Sequence, residues 1–135
     1  MTARNDVSRS NGQFLNVDLD VHSRRPLDAF VEGLGRAVTV MYVGRAGRRY
    51  SAHLELGASG YGQSSDWIIR RFVTLIQRLG PAAQEAWAGA SARIFDVGIK
   101  AGHALPPYRV SLKPATVAAI ASVGATLAIT VYAPE

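Results

Sequence analysis

The residues that first invite a chemical reading are Asp18, Asp20 and His22, which follow one another at two-residue intervals in Phe14-Leu15-Asn16-Val17-Asp18-Leu19-Asp20-Val21-His22. A two-residue period belongs to a strand, with Leu15, Val17, Leu19 and Val21 on one face and the polar residues on the other. Arg49 to Leu56 alternates in the same way, carrying Arg49, His53 and Glu55 on its polar side. Arg93 to Ile99 adds Asp96, and Thr126 to Tyr132 adds Tyr132. Aspartate is a poor strand former, so its repeated use is tolerated where water covers the face or where the carboxylates have a task. Two readings are open. One is a plain solvated face, as antiparallel sheets often have. The other is a ligand face, on which carboxylates and an arginine hold a polar ligand or a basic partner and histidines move protons near neutral pH. A divalent ion between His22, His53 and the carboxylates is chemically conceivable, but no helical His-x-x-x-His spacing supports it. No metal, cofactor or catalytic nucleophile is expected.

Positioning such a face requires a sheet, and the remaining pattern supplies one. Leu27, Phe30, Val31 and Leu34 have helical spacing after Pro26 and stop at Gly35. Val38 to Val43, then Gly44-Arg45-Ala46-Gly47, then Arg49 to Leu56 read as a hairpin. A Gly-rich loop, Gly57 to Gln63, leads to Ser64, Ser65 and Asp66 as candidate caps of the longest helix, whose stripe is Ile68, Phe72, Leu75, Ile76 and Leu79. The loop lacks the pattern of a phosphate-binding motif. Trp67 and Trp87 read as packing anchors, with closure of a pocket beside the loop as the alternative for Trp67. Pro81 opens a short helix through Trp87. A loop from His103 returns as a short extended piece at Tyr108 to Leu112, and a helix begins near Pro114. The order β-α-β-β-α-β-α-β predicts an α+β fold, a mostly antiparallel sheet with helices on one face, related to the ferredoxin-like, split βαβ arrangement.

With 48% hydrophobic and 19% charged residues in 135, the composition suits one globular domain. Residues 1–12 read as a flexible tail without the apolar segment of a secretory signal, and 13–135 as the domain. No apolar run is long enough to span a bilayer, so a soluble, cytoplasmic protein is expected and no membrane partner. The lack of cysteine excludes disulfides, thiolate chemistry and Cys-based zinc sites. A net charge of +5, with pairs at Arg24-Arg25, Arg48-Arg49 and Arg70-Arg71, raises anion or nucleic-acid binding. The pairs are scattered and no known nucleic-acid motif accompanies them.

Leu15-Asn16-Val17-Asp18-Leu19-Asp20, Ile94-Phe95-Asp96-Val97-Gly98-Ile99 and Leu112-Lys113-Pro114 with Gly124 and Ile129-Thr130-Val131-Tyr132 together resemble a family of small bacterial proteins classed as a domain of unknown function. The family pattern has a serine before the helix proline where this chain has Lys113. The resemblance implies an α+β fold and a bacterial cytoplasmic origin, and it implies no activity. The expected function is therefore a non-catalytic module, of immunity or accessory type, that binds a protein partner or itself through the polar face or an open strand edge. A small hydrolase or isomerase using Asp18, Asp96 and a histidine is the alternative. It requires those groups to converge in a concavity with a carboxylate partly desolvated.

Overall fold

The computed structural model describes residues 12–103 and 107–134. The tail assigned to residues 1–12 lies almost wholly outside them. Five strands, β1 (Gln13–Ser23), β2 (Val38–Ala46), β3 (Arg49–Leu56), β4 (Ala92–Lys100) and β5 (Thr126–Tyr132), form one sheet in the order β2-β3-β1-β4-β5. Only β4 and β5 are parallel; the other neighbours are antiparallel. The helices are α1 (Asp28–Leu34), α2 (Ser65–Gln77), α3 (Pro81–Ala88) and α4 (Pro114–Ser122). The expected α+β class is what the chain adopts, and β3 lies between β1 and β2, so the βαβ unit that joins them is split. None of the described helices is long and apolar enough to cross a membrane.

The alternation in β1 does what its period requires: Val17, Leu19 and Val21 are fully buried, facing Ala52 and Leu54 of β3 and Phe95 and Val97 of β4. The helices close this side. Ile68, Ile69, Phe72, Val73 and Ile76 of α2 are buried against it, and Phe72 packs on Phe95 with ring centroids 5.8 Å apart. Phe30 of α1 stacks on Trp87 of α3 at 5.3 Å, while the Trp87 indole N–H donates to the Val123 carbonyl at 2.9 Å. At Gly33 a Cβ would come within 2.8 Å of the Ala83 Cβ, so glycine lets α1 and α3 approach this closely.

Several expectations need correction. A bulge between Phe14 and Asn16 turns Leu15 out of the apolar series, leaving it 46% exposed, and Phe14 packs on the core instead. Strand β2 runs on through Ala46, which pairs with Arg49, so the connection is a two-residue Gly47-Arg48 turn with Gly47 at φ 61°. Pro26 precedes α1, which begins at Asp28, and no strand forms at Tyr108 to Leu112. Trp67 borders a cleft with Ser64, Arg70, Arg71 and Ser111, and it does not line the cleft formed by the Gly-rich loop. The apolar residues of β5 lie on the helix side, paired with Phe95, Val97 and Ile99, yet Ile129 is 61% and Val131 62% exposed. The helices cover the middle of the sheet and stop short of this edge.

One helix end found an unforeseen partner. The carboxylate of Asp66, in the first turn of α2, accepts the backbone N–H of Lys113 at 2.8 Å, capping α4 from another helix. Burial pulls the Asp66 carboxyl upward, but the Lys113 amide and nearby cationic side chains outweigh it and hold the group below its ordinary range.

Candidate functional site

The face of the sheet away from the helices carries all the residues singled out by alternation, and they form two groups and two outlying residues. In the centre, Asp18 of β1 stands directly opposite Asp96 of β4, and Glu55 of β3 flanks Asp18 on the other side, next to the Leu19–Leu54 pair. This row puts carboxylates on three adjacent strands, where like charges face one another at an energetic cost. Two of them have donors: Asn16 Nδ2 gives a hydrogen bond to Glu55 Oε2 at 2.6 Å, and the Thr130 hydroxyl reaches the two Asp96 oxygens at 2.8 and 3.0 Å. Among the described residues no side-chain donor reaches Asp18. Its pKa is pushed from 3.8 up to about 6, first by burial and then by Glu55, Asp20 and Asp96, with His53 pulling weakly the other way.

Beside the row lies a group of rings. Asp20 Oδ1 and His53 Nδ1 are 2.6 Å apart, the His53 ring lies 5.8 Å from those of both His22 and Tyr42, and His22 Nδ1 meets Ser51 Oγ at 2.9 Å. Burial holds His22 below its usual pKa, helped by the charges of Arg49 and His53, so the imidazole is predominantly neutral at pH 7. Ser51 and His22 make a hydroxyl–base contact that alternation did not reveal. The carboxylate that would orient such a base is committed elsewhere, since Asp20 pairs with His53.

Tyr132 stands apart at the β5 edge. A Cβ at Gly98 would sit in ordinary contact, 3.8 Å from both its ring and the Leu15 Cβ, so Gly98 lies between these two exposed residues. Arg49 also stands apart from the acidic row, bordering a cleft with His22 and Arg48. Tyr42, 49% exposed, balances Tyr132, 53% exposed, on the opposite edge strand. It was missed because β2 is apolar on both faces and offers no alternation to read.

The face is open. A cleft of about 770 Å³ lies at the Arg49 end, and one of about 690 Å³ lies at the end that includes Asn16 and Glu55. Asp18, Asp20, His53 and Asp96 line neither. Among the described residues no group of three or more acidic, histidine or cysteine side chains is arranged to hold a metal ion. Comparisons of the chain with protein-family models, curated proteins and solved structures returned no match.

Proposed function

We propose that this chain is a non-catalytic binding module, of the immunity or accessory type, that holds a basic protein segment against the open face of its sheet. The observation that carries the reading is Asp18: half-buried, flanked by Glu55 and Asp96, reached by no side-chain donor among the described residues and pushed up to about 6. A lysine or arginine laid along the row relieves the repulsion and supplies the missing donor. Tyr42, Tyr132 and Leu15, all about half exposed, surround the charge with the aromatic and apolar contacts that anchor protein interfaces. The carboxylates lie on rigid strands between the flanking clefts, which suits an extended partner better than an enclosed small substrate.

The test is an NMR titration of the full chain with a short oligolysine peptide. Amide shifts should centre on Asp18, Asp20, Glu55 and Asp96 and shrink in the Asp18→Asn/Asp96→Asn double variant. Shifts confined to other faces, or undiminished in that variant, would reject the reading. A second copy of the chain as partner is favoured by one observation, the exposed Ile129 and Val131 on the β5 edge. Sedimentation across a concentration series separates the two, because only self-association changes the mass of the protein alone.

A further inference from the structure

Arginines from separate segments meet in the cleft of about 770 Å³ at one end of the sheet. Arg24 follows β1, Arg45 is the next-to-last residue of β2, and Arg48 and Arg49 straddle the end of the hairpin turn. No aspartate or glutamate lines the cleft. Among the described residues no carboxylate stands within ion-pair distance of these guanidiniums. Arg45 is fixed as a wall: its Nε donates to the Gly47 carbonyl at 2.9 Å, Nη1 reaches the Tyr50 hydroxyl at 3.3 Å, and the guanidinium lies 5.7 Å over the Tyr50 ring. The charge is felt inside the site, because Arg49 helps to hold His22 below its usual pKa after burial has acted.

Cations converging without a counter-charge repel one another, and a bound oxyanion is what such a cluster accommodates best. The guanidinium fork matches phosphoryl oxygens in pairs. The volume is that of a small-molecule site. We propose that this cleft binds a phosphorylated small molecule, with its phosphoryl oxygens held by Arg24, Arg48 and Arg49 against the Arg45–Tyr50 wall. Nucleic acid is the weaker occupant: of the two rings that line the cleft, Tyr50 is already covered by Arg45 and His22 is held at Ser51, a poor stacking platform for a strand. The site is distinct from the acidic row, and the inference does not rest on the partner reading.

The experiment is calorimetric titration of the full chain with inorganic pyrophosphate and, separately, ATP. The expected result is saturable one-to-one binding that weakens as salt rises. It should fall about tenfold or more in Arg48→Ala/Arg49→Ala and stay within about twofold in Arg70→Ala/Arg71→Ala, which removes equal charge from a different cleft. Circular dichroism of each variant confirms that it is folded. Absence of saturable binding with both probes would overturn the proposal. So would equal losses in both double variants, or tight binding of a single-stranded oligonucleotide that pyrophosphate fails to displace.

Discussion

The acidic row and the arginine cleft both crowd like charges, and they do so by different means. Glu55, Asp18 and Asp96 sit on short side chains from three paired strands, so the sheet's register forces them together and burial adds to the strain. Arg24, Arg45, Arg48 and Arg49 reach their cleft on long stems from strand ends and a turn, and Arg24, Arg45, Arg48 and Arg49 are all exposed to water. The first arrangement is built into the fold and must cost stability; the second costs little because Arg24, Arg48 and Arg49 can spread into solvent while Arg45 is held at Tyr50.

Arg93 gives the comparison its sharpest contrast, because this arginine is structural. It donates from Nη1 to the carbonyls of Trp87, Ala88 and Ala90 and from Nε to that of Gly124, tying the end of α3 to the turn before β5. Replacing it by alanine should lower unfolding free energy by about 2 kcal/mol in urea denaturation, the largest effect expected here. Asp18→Asn should act in the opposite direction. The folded Asp18 holds its proton more tightly than the unfolded chain does, so its contribution is greatest below pH 3.8 and is lost as the pH rises through about 6. The asparagine variant should therefore gain about 1.5 kcal/mol at neutral pH, after discounting for solvent, and lose the wild-type decline across that window. A neutral-pH loss would mean that the row is already compensated.

Asp66→Ala should cost about 1 kcal/mol by uncapping α4. Because the folded Asp66 carboxyl titrates below its ordinary range, that contribution is present above the unfolded pKa and disappears as pH falls through the folded one. Thermal melts at neutral and strongly acidic pH check this: the gap between variant and wild type should close in acid. The smallest effect belongs to Arg24→Ala, expected to change stability by less than about 0.5 kcal/mol because its side chain makes no ion pair among the described residues. A larger loss would place Arg24 in the framework and remove it from the binding cleft.

Periodicity revealed the open face because alternation is a local property: Asp18, Asp20 and His22 share a side wherever β1 pairs. It also identified Asp96, and strand pairing brought that residue opposite Asp18. The bulge at Leu15 was hidden, since an extra residue looks like any other until the partner strand shows the register. The arginine cleft was equally hidden. Scattered pairs such as Arg48-Arg49 carry no sign that Arg24 and Arg45 will join them, because a turn and two strand ends converge only through the sheet order. Asp66 looked like a cap for its own helix, which Ser64 serves by accepting the Trp67 N–H, and this left the carboxylate available to α4. The exposure of Ile129 and Val131 shows the limit of the pattern: alternation says which way a side chain points, and only packing says whether anything meets it.

The central position of β1 bears on how the chain acquires its shape during synthesis. Of the five described strands it leaves the ribosome first, yet its neighbours are β3 and β4, and the second of these ends at Lys100. A nascent chain cut off before that point holds a strand with one side still unzipped, so the native sheet cannot close until β4 has emerged.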